Sequence, residues 1–288
     1  MVLQNNGGDE QVVTADGGFS FSPQDDGSSF DVTVATQPTN LSQTCTVTNG
    51  SGTLAGVNVT NVEVACTTNQ FTVSGTDSGL AGDQVVLQNN GGDDQVVTTD
   101  GGFAFSPQND GTTYEVTVAT QPTNPSQACT VTNGSGTLAG ADVTNVAVDC
   151  ATIQIELDQS TLEFGNLILG QSATLTITIT NTGEADLLIS EITDPDSPFA
   201  LVGGSCLPAP GTLAAMESCT IDVEFSPERD GFFVSSFQIE SNAGSSPDTV
   251  TMSGTAIAPL PVSTLNPWAL IVLMLSLLLF AGLRLRIS

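Results

Sequence analysis

Histidine and lysine are absent from all 288 residues. Only three cationic side chains exist, Arg229, Arg284 and Arg286, so every charged side chain before Arg229 is an acid. Without histidine there can be no Cys-His zinc site, and no Ser-His or Cys-His pair to activate a nucleophile. Without lysine there can be no Schiff base. A surface with Lys+Arg 3 against Asp+Glu 31 and net charge -28 repels a phosphate backbone, so nucleic acid is not expected as a partner. An anionic membrane leaflet repels it too. Aromatic side chains are scarce: one Trp, one Tyr and 13 Phe. The first 20 residues have neither a basic segment nor an apolar one, so no signal peptide is read there.

The abundant acids have two readings. They keep a repetitive β protein soluble and block edge-to-edge pairing, or they hold calcium. A saline habitat belongs with the first. Asp93, Asp94, Asp194 and Asp196 are the best oxygen ligands available, but a dense DxDxDG pattern does not occur. Paired carboxylates for glycoside hydrolysis are equally weak. Asp9/Glu10, Asp25/Asp26 and Asp93/Asp94 sit in turns that recur with the repeat, where turn chemistry accounts for them. The expectation is therefore a chain with no catalytic residues, no cofactor and no metal.

The six cysteines fall into three local pairs, Cys45 with Cys66, Cys129 with Cys150 and Cys206 with Cys219, none of them CxxC. An even number closing short loops points to disulfides in an oxidising compartment; buried free thiols are the alternative.

A repeat organises the first half. Val2 to Asn69 recurs at Val86 to Ile153 with a period of about 84 residues and roughly three in four positions identical. Short apolar runs, Val85 to Leu87, then Val96 and Val97, are separated by Asn90-Gly91-Gly92 and Asp100-Gly101-Gly102. Phe103 and Phe105 alternate, as do Tyr114, Val116 and Val118, which reads as strands with one buried face. The second copy opens with Phe71, Val73, Gly75, Leu80, Ala81 and Gly82, a strand and turn without counterpart in the first, because Met1 aligns with Val85. The upstream reading frame is expected to encode that strand, more repeats and a signal peptide.

From Gln154 the composition shifts. Leu175, Ile177 and Ile179 alternate with threonine, Asn181-Thr182-Gly183 marks a turn, and Ser218 to Phe225 alternates again. Phe233, Phe237 and Ile239, then Val250, Met252 and Gly254, complete a strand-rich unit.

After the linker 258–264, Trp268 to Leu283 is apolar except for Ser276 and Gly282. Such a helix is about 24 Å long; Leu265 and snorkelling arginines extend it toward the roughly 30 Å of a bilayer core. Asn266 suits an N-cap, Pro267 the first helical position and Trp268 an interface. Arg284 and Arg286 orient the C-terminus to the cytoplasm. A buried core helix is the alternative.

Three segments resemble known families. VLQNNGGD and CTVTNGSGT in residues 2 to 152 resemble units arrayed on large secreted bacterial proteins, and Val73 to Gly82 resembles prealbumin-like sandwich modules. LEFGNLILGQSATLTITITNTG, CTIDVEFSP and IESNAGSSPDTVTMSGTA resemble the bacterial choice-of-anchor D module, an Ig-like sandwich related to ASH and MSP domains. That resemblance implies an extracellular setting and places Cys206 and Cys219 at the family's cysteine positions. Val262, Ser263, Thr264 and Leu265, with Trp268 following, resemble the IPTL-CTERM sorting signal, a relative of PEP-CTERM tails; Ser263 departs from its proline. This implies processing by an exosortase-type enzyme.

The sequence thus predicts an all-β chain of tandem β-sandwich (Ig-like/prealbumin-like) domains plus one C-terminal transmembrane α-helix. The divisions are a truncated repeat at 1–69, a second repeat at 70–152, an Ig-like domain at 153–257, the linker at 258–264 and the sorting signal with its helix at 265–288. The expected function is a structural or adhesive stalk on the bacterial cell envelope, ectodomain outside. The alternative is an Ig-like module that binds a protein or glycan; the extracellular ligand is not specified by the sequence.

Overall fold

The computed structural model describes residues 1–81, 83–259 and 271, and residues 1–259 of that set are built from β-strands and the turns between them. The sorting motif Val262, Ser263, Thr264, Leu265 and Trp268, the arginines Arg284 and Arg286, and nearly all of the expected transmembrane helix lie outside the described residues. Among the described residues no helix is long and apolar enough to cross a membrane.

The second repeat is a complete sandwich. One sheet runs Asp93–Val97, Val85–Asn89, Thr113–Thr120, Ser135–Thr137; the other runs Gly101–Ala104, Val73–Ser78, Val143–Thr152, Gln127–Thr132. Alternation puts Val85, Leu87, Phe103, Phe105, Tyr114, Val116, Val146 and Val148 into one core between them. The hairpin turn at Asn90-Gly91 needs positive φ at both residues, 53° and 68°, which asparagine and glycine accept at little cost. Gly75 has a different reason. A Cβ there would land on the Val146 carbonyl and the Phe103 ring, so the strand Val73–Ser78 packs closely only because that position is bare.

The first repeat keeps one sheet, ordered Asp9–Val12, Val2–Asn5, Ser29–Thr36, Ser51–Thr53, but its second sheet has only Gln43–Thr48 and Glu63–Thr68. The strand that would match Val73–Ser78 has no counterpart in the chain, and Phe19 and Phe21 form no strand, where their equivalents lie in or next to Gly101–Ala104. The consequence is local. Phe19 and Phe21 are only half-buried, whereas Phe103 and Phe105 are 5% and 4% exposed. An unpaired edge opens more readily than a paired one. Amides of Glu63–Thr68 should therefore exchange at least about ten times faster than those of Val143–Thr152, although the two repeats share about three in four positions. Mass-spectrometric hydrogen exchange on the intact chain checks this; equal protection in the two copies would mean the missing strand has no energetic effect.

The third unit packs the sheet Ile155–Leu157, Ala173–Asn181, Ser218–Phe225, Phe199–Gly203 against the five-stranded sheet Thr161–Ile168, Asp248–Ile257, Gly231–Ser241, Leu187–Ile192, Gly211–Leu213. Its core is the largest among the described residues: Ile177, Ile179, Ile221, Val223, Phe225, Phe237, Ile239 and Val250 are all essentially inaccessible. Buried Asn181 spends its side chain on the backbone. Its amide donates to the Ala185 and Leu213 carbonyls and its oxygen accepts from Gly183 N, which closes the predicted Asn-Thr-Gly turn.

Candidate functional site

The cysteines are joined as Cys45–Cys66, Cys129–Cys150 and Cys206–Cys219, each within its own unit, and no free thiol remains among the described residues. The first two pairs lie directly opposite each other on neighbouring strands, so each bridge staples a hairpin edge. The third ties the loop after Phe199–Gly203 to the start of Ser218–Phe225.

Beside the second disulfide sits the chain's most perturbed acid. Asp77 follows Val73 and Gly75 at the inward positions of its strand, and is 4% exposed. One carboxyl oxygen lies 3.6 Å from the Cys150 sulfur; the other is buried without a hydrogen-bond partner. A disulfide sulfur carries no hydrogen, so that contact is a hydrogen bond only when the carboxyl is protonated and donates. Burial, then the charges of Asp100 and Asp149, push the Asp77 pKa up from 3.8 to about 6. No cation relieves it, because the repeats contain no basic side chain. The site can hold a proton in mildly acidic solution. It contains no partner that could pass that proton to a reacting group.

A second set of acids braces the second repeat and its seam to the first. Asp110 accepts Ser42 N of the first repeat at 2.6 Å and Gly140 N of its own repeat at 2.7 Å. Its own N–H donates to the Asn69 carbonyl at 2.8 Å. These bonds to the ionised form, Ser42 N–H first, hold the Asp110 pKa below its usual value. Asp83 does similar work within the second repeat. Its carboxylate accepts Gln84 N, Thr123 N, Thr123 Oγ1 and Asn124 N between 2.8 and 3.1 Å, which lowers its pKa, with the Gln84 N–H the largest cause. The seam to the third unit uses backbone instead. Glu184 N and Ala185 N donate to the Thr152 carbonyl, Ile153 N donates to the Ser126 carbonyl, and Ser126 Oγ donates to the Asn242 carbonyl.

The acids singled out as calcium ligands are not brought together. Asp93 lies on Asp93–Val97, where its carboxylate accepts Ser106 N and Oγ; Asp94 follows it on the same strand. Asp194 and Asp196 are in the third unit, after Leu187–Ile192. Among the described residues no group of three or more potential metal ligands converges. The Asp9 carboxylate repeats the Asp93 contact, on Ser22 N and Oγ, so both acids brace turns. Sequence reasoning passed over Asp77, Asp83 and Asp110. Asp77 had a signal: an acid at an inward position of a strand that otherwise alternates small or apolar residues inward. Asp110 had none, since its partner Ser42 is 68 residues away.

Residues 153–255 match the family model described as HYDIN/CFA65/VesB-like, Ig-like domain. No curated protein gives a significant match to the chain. Among solved structures, the ASH/PapD-like domain of human CEP192 (PapD-like domain 7) is 17% identical with a TM-score of 0.29, over 37% of this chain and 87% of that one. The VesB protease of Vibrio cholerae is 21% identical with a TM-score of 0.31, over 36% of this chain and 31% of the protease. A protein of unknown function from Porphyromonas gingivalis W83 is 11% identical with a TM-score of 0.31, over 67% of this chain and 90% of that one. The family model carries the assignment of the third unit as an Ig-like domain; the structural likenesses add no functional argument.

Proposed function

We propose that this chain is a non-catalytic, exported stalk, a series of β-sandwich units held at a bacterial cell envelope by its C-terminal segment. The observation that carries this reading is the way the units are joined. Each seam is short and bonded directly, through Asp110 between the repeats and through the Thr152 carbonyl before the Ig-like domain, so length is gained without a loose linker. Three disulfides suit an oxidising exterior. The third unit is read as a choice-of-anchor D module and the tail as an IPTL-CTERM-like signal for an exosortase-type enzyme, on the strength of Val262 to Leu265, Trp268, the apolar run and Arg284 and Arg286.

Insertion and processing are tested separately. A chain ending at Pro261 should be released as soluble material, while the full chain stays with the membrane fraction. Retention of the shortened chain would place the anchor elsewhere. Mass spectrometry of surface material should find no peptide running from Trp268 to Ser288; such peptides in every molecule would leave a plain membrane anchor.

One observation favours a second reading, an Ig-like module for a protein partner, which is the use the family itself suggests. Phe232 and Val234 stand on the outward row of Gly231–Ser241 at 68% and 64% exposure, in a chain with few aromatics to spare. Exposed apolar side chains adjoining on one sheet face are the raw material of a contact surface.

A further inference from the structure

The inward acid of the second repeat and the disulfide beside it act on each other. The inward positions of Val73–Ser78 before Asp77 are a buried valine, Val73, and a bare glycine, Gly75. Asp77 takes the next one. The parallel neighbour Val143–Thr152 brings Cys150 against it, with Asp77 Oδ1 3.6 Å from Cys150 Sγ. The charged groups facing Asp77 are Asp100, just before Gly101–Ala104, and Asp149, on Val143–Thr152. Both are acids, and each has a donor of its own: Leu80 N reaches Asp100 at 2.8 Å, and Ser78 Oγ reaches Asp149 at 3.2 Å. Asp77 differs. Its Oδ2 is buried without a partner, and its Oδ1 meets a sulfur that carries no hydrogen.

Reduction of the bridge changes that contact. A small dithiol passes two electrons and two protons to the sulfurs, closes into a cyclic disulfide itself, and leaves Cys129 and Cys150 as thiols. The Cys150 S–H can then donate to the Asp77 carboxylate, which the bridged sulfur cannot do. The strands need not part for this, because Gln127–Thr132 and Val143–Thr152 are also joined by their backbone ladder, from Gln127↔Thr152 to Thr132↔Ala147. A protonated Asp77 gains little from the same change, since it already has a hydrogen to donate to the sulfur.

We propose that Asp77 and the Cys129–Cys150 bridge form a proton-linked redox site, in which ionisation of Asp77 favours the reduced pair and protonation favours the closed bridge. The linkage is reciprocal, so opening the bridge makes Asp77 a stronger acid. With the bridge closed the carboxyl titrates at about 6, which puts the response in mildly acidic solution. Above that range a dithiol opens the staple of the second repeat more readily; below it the staple holds. The co-reactant is any small dithiol. The site does not depend on how the chain is anchored.

The test follows two bridges of the intact 288-residue chain together, in mixtures of reduced and oxidised dithiothreitol, by alkylation and mass spectrometry. Cys206–Cys219 is the reference, and it cancels the pH dependence that every disulfide shares with this reagent. Reduction of Cys129–Cys150 relative to the reference should rise about five-fold between roughly pH 5 and roughly pH 8, the effect of one weak hydrogen bond to a charge. In Asp77→Asn, whose amide does not titrate, the ratio should stay constant. A constant ratio in the native chain overturns the proposal, as does an equal rise in the variant. As a second measurement, the Asp77 carboxyl is titrated through its side-chain carbon resonance, assigned with the same variant, in the bridged and the reduced chain. Its midpoint should fall on reduction while the amides of Val143–Thr152 stay protected from exchange. An unmoved midpoint overturns the proposal. Loss of protection along that strand does so too, because unfolding and not the thiol would then have released the acid.

Discussion

Replacing Phe225 with alanine should destabilise the Ig-like domain by about 3–5 kcal/mol, the range for emptying a large aromatic from a core that cannot collapse. Phe225 is 0% exposed at the end of Ser218–Phe225. Its ring stacks on Phe199 at 4.8 Å and 24°, and meets Phe164 at 5.5 Å and Phe233 at 5.9 Å. From the facing sheet, Gly254 comes so close that a Cβ there would strike the ring. Two sheets thus converge on one side chain, and the β-backbone on both sides is pinned by its own ladders. The void would remain, and the other three rings would lose their common neighbour. Calorimetry should show the transition of residues 153–257 falling steeply. Tyr114, the only tyrosine, lies in the second repeat and reports that unit separately. Its transition should move little. A loss under about 1 kcal/mol would mean that the ring cluster relaxes into the space.

Asp77→Asn should stabilise the second repeat at neutral pH and do nothing at acid pH. The Asp77 pKa is about 6 in the fold against 3.8 for an unperturbed carboxyl, so between roughly pH 4 and 6 the folded state binds more protons than the unfolded one. Stability therefore falls as pH rises through that window, and the whole penalty is present above it. A shift of this size corresponds to at most about 3 kcal/mol; screening by water around the neighbouring carboxylates reduces the expected gain to about 1–2 kcal/mol. The asparagine amide occupies the same space, cannot ionise and removes the repulsion from Asp100 and Asp149. Denaturant melts followed by Tyr114, in a chain ending at Pro261 to remove Trp268, should give equal midpoints near pH 4 and a higher one for the variant near pH 8. A variant less stable at pH 8 would show instead that the ionised carboxylate has a stabilising partner, and the buried-acid account would be lost.

The two acid types in the repeats thus respond to pH in opposite senses. Asp77 is a buried group whose ionisation opposes folding. Asp110 is a seam group whose ionised form is held by N–H donors, so its contribution is present at neutral pH and disappears only as pH falls through its lowered pKa. Mild acidity would stabilise the core of the second repeat, and only stronger acidity would loosen the joint to the first.

By itself, the sequence determined the strand content, the repeat and the shift to an Ig-like unit, because strand alternation, Asn-Gly turns and the near-duplicate are local signals written within a few residues of each other. Phe103 and Phe105, or Ile177 and Ile179, turn inward because period two leaves them no other face. It also placed the cysteines in local pairs, two of them at one spacing because the repeats carry them at directly opposed positions on neighbouring strands. The tertiary structure alone decided what depends on residues distant in the chain. Ser42 and Asp110 meet only because the repeats abut, and no local pattern encodes a contact across 68 positions. Asp77 becomes a weak acid only when two sheets exclude water from it and bring Asp100 and Asp149 close. In the first repeat, Phe19 and Phe21 lie outside any strand, and the hold on that segment comes from an acid 13 positions away: the Asp9 carboxylate accepts Ser22 N once the hairpin strand brings it there.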